Sequence, residues 1–298
     1  MEENIVISNS RAKRRVKKNE CSLTTEELEK TKKAISEDGA EKLHVLADFD
    51  RTLTTAFVNG KSVPSLTSIL RDGNYLTPDY AKKANELYAK YHLIEIDSKI
   101  PAEEKKKAME KWWTTHFDLL IQSGLNKKDL EKVVETGNVK FREGFADFID
   151  FLQAHKIPLV IMSSSGLGRD AISMYLEREG KLNDNIYIIS NSYEWDENGN
   201  AIAIKQPIIH LMNKDETAVQ DFPVFDAIKD RKNVLLLGDS LEDVGMVKGF
   251  DYDNLIKIGF LNENVEENLE QYKRNFDVVI LNDSSMDYIN GLLKEIIK

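Results

Sequence analysis

Apolar positions along the chain follow two rhythms. In six short stretches they run almost without a break: LHVLAD (43–48), PLVIMS (158–163), IYIIS (186–190), NVLLLG (233–238), NLIKIGF (254–260) and DVVIL (277–281). Runs of this kind predict strands covered on both faces. Elsewhere the apolar residues recur at helical spacing. Thr24-Thr25-Glu26-Glu27 reads as a capping box opening a helix that Gly39 ends. Phe145, Phe148, Ile149 and Leu152 form one helix face, and further helices are expected over 169–179, 241–247, 263–273 and 285–297. In YEWDENGNAIAI, Asn198-Gly199 between short runs predicts a hairpin.

From 56 to 140 the period is helical. Thr77-Pro78 reads as N-cap and first helical residue, followed by Ala81, Ala84, Leu87, Tyr88 and Tyr91. Pro101 opens a second helix with Met109, Trp112, Trp113, His116, Phe117 and Leu120 on one side, and a third fits 127–135. Strand–helix alternation outside this stretch predicts an α/β fold, a parallel sheet with helices on both faces. The expected division is an N-terminal arm and helix (1–40), an α/β core (41–55 plus 141–298) and an all-helical insertion (56–140) placed just after the first strand.

Composition narrows the partners. The chain has 298 residues, is 41% hydrophobic and 31% charged, and carries a formal charge of −10. That balance argues against nucleic acid, which needs a clustered positive footprint. The one strongly basic run, RAKRRVKK (11–18), reads as a solvated arm. A single cysteine, Cys21, permits no intrachain disulfide. There is no signal-peptide layout and no apolar run near the roughly 20 residues of a membrane span. A cytoplasmic, monomeric enzyme with no membrane or nucleic-acid partner is the expectation.

Candidate chemistry sits where the apolar runs end. The first strand ends in Asp48-Phe49-Asp50 with Thr52 beyond, the second runs into Ser163-Ser164-Ser165-Gly166, and the fourth into Gly238-Asp239-Ser240 with Asp243 following. Lys214 lies in the loop before that fourth strand. Ligands of open parallel sheets bind beyond the carboxyl ends of strands. Carboxylates converging there repel unless a cation intervenes, and hard oxygen ligands suit Mg²⁺. One aspartate could then attack phosphorus and the other, two residues on, serve as acid and base. A serine hydroxyl, loop N–H groups and the lysine would offset phosphoryl charge. Each piece alone reads equally well as a loop or a helix cap. Their shared position at strand ends is what points to phosphoryl transfer.

DFDRTLT, the SSSG turn, Lys214 and GDSLEDVGM resemble the four motifs of the haloacid dehalogenase superfamily. YHLIEID (91–97), EEKKKAMEKWWTTH (103–116), IIHLMNKDE (208–216) and IGFLNENVEENLEQY (258–272) narrow the resemblance to pyrimidine 5′-nucleotidases of the cytosolic 5′-nucleotidase III type, over about residues 43–283. The resemblance implies a Rossmann-like parallel-sheet core with a helical cap, and Mg²⁺-dependent hydrolysis of nucleoside 5′-monophosphates through an aspartyl-phosphate. It implies Asp48 as nucleophile and Asp50 as acid and base. Asp48, the Asp50 carbonyl and Asp239 would hold the metal, with Asp243 as supporting carboxylate and Lys214 on the phosphate. Thr52 belongs to the first motif. The motif serine has two registers: Gly166-Leu167-Gly168 selects Ser164, with Ser165 beside it, and Pro158 selects Ser163. The first is preferred. Glu95 and Thr115 are the implied contacts to the nucleoside. Trp112, Trp113 and His116 read as core more than as a stacking platform.

Arg51 stands where methionine is frequent in the animal members, and VPSLTSI replaces their cysteine-rich segment. Both departures lie at the cap junction and bear on substrate choice. The rival readings are a phosphoserine-type phosphatase, a nucleoside phosphotransferase, and a non-catalytic binding protein.

Overall fold

The computed structural model describes residues 5–7, 23–97, 99–214, 224–249 and 251–298. The basic run at 11–18 and Cys21 lie outside them. In chain order the elements begin with strand β1 (Ile5–Ile7), helix α1 (Thr25–Asp38) and strand β2 (Leu43–Ala47). The insertion follows: hairpin β3 (Phe57–Val58) and β4 (Lys61–Ser62), then α2 (Leu66–Asp72), α3 (Tyr80–Ile96), α4 (Ala102–Gln122) and α5 (Lys127–Glu135). The chain then makes α6 (Phe145–Ala154), β5 (Leu159–Ser163), α7 (Gly168–Arg178), β6 (Ile186–Ser190) and the hairpin β7 (Tyr193–Trp195) and β8 (Ala201–Ile204). It closes with α8 (Phe225–Ile228), β9 (Asn233–Gly238), β10 (Asn254–Leu261), α9 (Val265–Asn275), β11 (Val278–Leu281) and α10 (Asp287–Ile296).

Seven strands form one parallel sheet in the order β1-β11-β10-β9-β2-β5-β6. β2 lies at the switch point, where the chain builds outward first through β5 and β6 and then through β9, β10 and β11. Alternate residues of each strand serve opposite faces, as the pleat requires. Leu43, Val45, Ala47, Leu159, Ile161, Leu235 and Leu237 pack with Leu28 and Ile35 of α1 and with Phe148 and Leu152 of α6. Leu46, Val160, Met162, Val234 and Leu236 pack on the other face with Ile228, Met246 and Phe276. Both faces are covered, which is why the strands read as continuous apolar runs.

Four expectations change. First, the described N-terminal elements join the core: β1 pairs with β11, and the predicted capping box of Thr24 and Glu27 opens a helix whose Leu28 and Ile35 are buried in the sheet layer. Second, the insertion is not all helical, because β3 and β4 pair as a hairpin at its start. Third, residues 241–249 form 3₁₀ turns in place of an α-helix. Fourth, α3 begins at Tyr80, after a turn in which the Tyr80 N–H donates to the Thr77 carbonyl (3.0 Å). The expected hairpin at Asn198-Gly199 is present, with Gly199 at φ 79°. It also fastens the insertion to the core: the N–H of Lys127 donates to the Gly199 carbonyl (2.9 Å), and that of Ala201 to the Leu125 carbonyl (2.8 Å).

Candidate active site

β2 and β9 are neighbours in register, so their carboxyl ends bring Asp48 and Asp239 side by side. After Asp48 the chain reverses sharply: Arg51 sits at φ 62°, its N–H donating to Thr54 Oγ1 (2.8 Å), while the Thr54 N–H returns to the Phe49 carbonyl (3.2 Å). This reversal turns Asp50 toward the insertion. Thr52 is fully buried and its hydroxyl donates to Asp239 Oδ1 (3.4 Å). The DxDxT spacing therefore has a physical content: an acid at the strand end, a turn, and a hydroxyl that reaches back to the neighbouring strand end.

Asp243 is folded over the end of β9. Its Oδ2 accepts the N–H groups of Asp239 (3.1 Å) and Ser240 (2.9 Å). A Cβ on Gly238 would stand 2.5 Å from the Asp243 Cβ, so only glycine allows this close approach. Lys214 enters from a turn closed by the His210 side chain, whose Nδ1 accepts the Met212 N–H (3.2 Å). Its ammonium donates to Asp48 Oδ1 (2.6 Å) and Asp243 Oδ1 (3.0 Å). Carboxyl oxygens of Asp48, Asp239 and Asp243 lie within 4.8 Å of one another.

Three carboxylates face one ammonium, and the electrostatics reflect the excess. Burial pushes Asp48 up to about 7, against the pull of Lys214 and with help from the Asp243 charge. Asp239 is raised well above the ordinary range by burial, then by Asp243 and Asp48. Asp50, enclosed by the cavity walls, is raised to about 6 by burial, opposed by Lys214 and Arg51. Burial alone would lower Lys214, but Asp243 and Asp48 together hold it above its usual value. A hard dication fits this donor set, since it would relieve the repulsion with oxygen ligands already gathered. Asp243 has both oxygens engaged by Lys214 and by two amides, so it suits the supporting role better than direct ligation. The Asp50 carboxylate stands outside the acidic cluster and lines the adjoining cavity instead.

That cavity, of about 270 Å³, runs from the strand ends into the insertion. Asp50, Ser164, Ser165 and Gly166 line it on the core side, and Glu95, Tyr88, Trp112, Trp113 and His116 on the other. A Cβ on Gly166 would meet Thr67 Oγ1 at 2.8 Å and Trp113 at 3.1 Å, so glycine lets the insertion close on the core here. Glu95 Oε2 lies 3.0 Å from His92 Nδ1. Trp112 and Trp113 stack on one another, with Tyr91 stacked on Trp112. Ser163 is buried at the end of β5, its hydroxyl accepting the Ser165 N–H (3.2 Å), whereas Ser164 faces the cavity.

Thr115 does not join this set. It is exposed, and its hydroxyl donates to the Lys111 carbonyl (2.7 Å) within its own helix. The register of α4 turns the next residue, His116, inward; burial lowers its imidazole to about 4, so it is neutral at physiological pH. Trp112, Trp113 and His116 thus serve both expected purposes, core on one side and cavity wall on the other. Sequence reasoning missed Ser65, Thr67, Ser68 and Arg71 of the α2 region, which also border the cavity. The available signal was the short amphipathic run after Ser65, which caps α2 by accepting the Ser68 N–H (3.2 Å).

A parallel sheet with acidic strand ends and a cap inserted after the first of these strands is the arrangement of haloacid dehalogenase-type hydrolases. A HAD family hydrolase of Salmonella enterica serovar Typhi shares the fold at a TM-score of 0.54 and 16% identity, covering 88% of this chain and 73% of that one. More closely, the model of the family "Pyrimidine 5′-nucleotidase (UMPH-1)" matches residues 51–297, and the chain belongs to that family. It is a 5′-nucleotidase of the haloacid dehalogenase type, a phosphoric monoester hydrolase. The 7-methylguanosine phosphate-specific 5′-nucleotidase of Gallus gallus is 35% identical over 266 residues, 89% of this chain and 91% of that protein. The human protein of the same description is 36% identical over 265 residues, 89% of this chain and 88% of that one. The crystal structure of cytosolic 5′-nucleotidase IIIB bound to cytidine superposes with a TM-score of 0.83 at 28% identity, over 91% of each chain.

Proposed function

We propose that this chain hydrolyses nucleoside 5′-monophosphates to nucleoside and phosphate through an aspartyl-phosphate on Asp48. The observation that carries the reading is the junction of two environments. The Asp48–Lys214–Asp243–Asp239 cluster opens into a cavity walled by aromatic rings and one carboxylate, Glu95. A phosphate fits the first environment and a nucleoside the second.

Asp48 Oδ attacks phosphorus, and the leaving 5′-oxygen takes a proton from Asp50. Asp50 then accepts a proton from the water that opens the acyl phosphate. Ser164 and Lys214, with Ser165 beside them, hold the phosphoryl oxygens. Turnover needs Asp48 ionised while Asp50 is protonated, the reverse of the order that burial and the neighbouring charges together give them. A Mg²⁺ held by Asp48, the Asp50 carbonyl and Asp239 would favour the ionised nucleophile and neutralise phosphoryl charge. The substrate dianion beside Asp50 acts in the opposite direction and keeps its proton on. Asp243 orients Lys214 and the strand end.

Two base classes fit. Pyrimidine nucleotides are favoured by the family description and the cytidine-bound relative, with Glu95 accepting a hydrogen bond from an exocyclic amino group. 7-Methylguanosine monophosphate is the second reading. Its cationic base suits Trp112, Trp113 and Tyr88 beside the Glu95 charge, and relatives at 35–36% identity carry that specificity in their names. No helix among the described residues is long and apolar enough to cross a membrane. With a relative named a putative cytosolic 5′-nucleotidase, we read the enzyme as cytoplasmic. The test is phosphate release from CMP, UMP, AMP, GMP, 7-methylguanosine monophosphate and phosphoserine, with Mg²⁺ and with EDTA. Metal-dependent release strongest on CMP or 7-methylguanosine monophosphate supports the reading. Release strongest on phosphoserine, or transfer to added nucleoside in place of water, would redirect it to the rival phosphatase or phosphotransferase.

A further inference from the structure

Arg142 is the bulkiest side chain in the fully buried set, only 2% exposed, and it lies in the segment that returns from the cap to the core. Its five guanidinium N–H donors all find oxygen. Nε donates to the Thr52 carbonyl (2.7 Å). Nη1 donates to Asp283 Oδ1 (2.8 Å) and to the Ser284 carbonyl (2.8 Å). Nη2 donates to Asn262 Oδ1 (2.8 Å) and to the Arg51 carbonyl. The group also lies over the Phe260 ring, 4.0 Å from its centroid.

These partners come from stretches far apart in the chain. Arg51 and Thr52 belong to the turn that follows Asp48 and Asp50. Asn262, Asp283 and Ser284 stand just beyond the carboxyl ends of β10 and β11. Arg142 itself belongs to the returning linker, where its own N–H donates to the Leu53 carbonyl (3.0 Å) and the Thr55 N–H donates to Lys140 (2.8 Å). The Asp283 carboxylate closes the circuit: Oδ1 accepts the N–H of Ala56 (2.8 Å) and Oδ2 that of Phe57 (2.9 Å), the outgoing linker. Asn262 adds a second bond to the Arg51 carbonyl (3.0 Å).

We propose that Arg142 is a positioning residue: with Asp283 it locks both linkers of the cap and the turn bearing Asp48 and Asp50 to the ends of β10 and β11, so one buried ion pair sets cap placement and nucleophile geometry together. A guanidinium suits the post because its planar fork reaches several carbonyls at fixed angles. A lysine would keep the charge at Asp283 but could not hold Thr52, Arg51 and Asn262 at once. Arg51 is at positive φ, a conformation a non-glycine residue keeps only when its surroundings enforce it; two donors on its carbonyl do so.

The inference rests on the phosphatase reading of the site, not on the choice of base, so its test uses p-nitrophenyl phosphate beside CMP. For folded Arg142→Met we expect kcat to fall about 10²-fold on both substrates, with KM changing less than about threefold, because small misplacements of reacting groups act on the chemical step. Arg142→Lys should recover part of that kcat. A folded Arg142→Met that keeps kcat within about twofold while melting earlier would overturn the proposal and leave Arg142 a structural residue only. If Arg142→Met fails to fold, Asp283→Asn carries the test, since asparagine tolerates the φ of 52° at that position. Faster amide exchange at Ala56 and Phe57 with a lowered kcat is expected there; neither change would overturn the clamp. Wild-type activity on p-nitrophenyl phosphate without activity on nucleotides would remove the nucleotidase reading and leave the clamp to be judged by its own variants.

Discussion

The two ends of the candidate site are built by different rules. At the phosphate end every acidic group stands on or just past a strand of the central sheet; Lys214 holds Asp48 and Asp243, two backbone amides hold Asp243, and the Thr52 hydroxyl reaches Asp239. At the nucleoside end the lining comes from helices α3 and α4 and the start of α2, and most of the contacts are ring packing. Exposure differs as well: Lys214 and Asp243 are sealed, whereas Tyr88 is 44% exposed. Charge chemistry requires fixed atoms, so the sheet supplies them. Base recognition requires a surface that closes over a planar group, which a packed pair of helices can provide. The first end should therefore be intolerant of single-atom changes, and the second graded.

The sharpest break would come from Asp48→Asn, which removes a nucleophilic oxygen but keeps the shape. We expect kcat to fall by at least about 10⁴-fold with the fold intact, measured as phosphate release beside a circular dichroism melt. At the other end, Glu95→Gln should raise KM for the preferred nucleotide by about 10-fold, with kcat little changed, since a hydrogen bond to a charged group is worth roughly 1.5–3 kcal/mol. An equal loss in kcat would mean that Glu95 acts on the chemical step and that the division between the two ends is false.

A smaller effect separates the ends by pH. Asp48 and Asp50, raised by burial to about 7 and about 6, hold protons in the folded protein where unfolded carboxyls near 3.8 have released them. Folding then takes up protons, and stability falls as pH rises through these values. His44 and His116, both lowered to about 4 by burial, act in the other direction but only below 6.5, where the unfolded imidazole starts to protonate. Between about pH 6.5 and 8 the acidic groups govern, so in EDTA the melting temperature should drop by a few degrees across that window. Saturating Mg²⁺ should flatten the slope, and no slope in EDTA would count against the buried acidic cluster. Least of all should come from Thr115→Ala, with kcat/KM within about twofold of wild type, because the hydroxyl faces solvent and bonds its own helix.

What could be read from sequence follows the same division. Strand ends were legible because both faces of the sheet are covered, so the apolar runs stop where the chemistry begins: Asp48, Asp239 and the serines fall at those stops. Lys214 and Asp243 are joined to Asp48 by contacts spanning 166 and 29 residues from the lysine, and family resemblance rather than pattern singled out their roles. On the cap, the family resemblance pointed to Thr115, which α4 leaves on its exposed side, whereas the next residue, His116, about 100° around the helix, lines the cavity. Local pattern could not resolve it, since the α4 stripe serves core and cavity at once. Arg142 carried no signal at all. An arginine in FREG looks like surface charge until β10 and β11 are seen to end around it. The N-terminal helix was assigned correctly but placed outside the core, because its partners, among them Met286 and Leu293 of the α10 region, lie at the far end of the chain.

The central claim is covalent attack by Asp48. Acid quenching during turnover of CMP or 7-methylguanosine monophosphate with Mg²⁺, followed by peptide mass spectrometry, reads it directly. A phosphoryl group on the peptide containing Asp48, absent in Asp48→Asn and in EDTA, is the predicted result. Steady turnover with no phosphoryl group ever on Asp48, and inversion in place of net retention at a chirally labelled phosphorus, would contradict it.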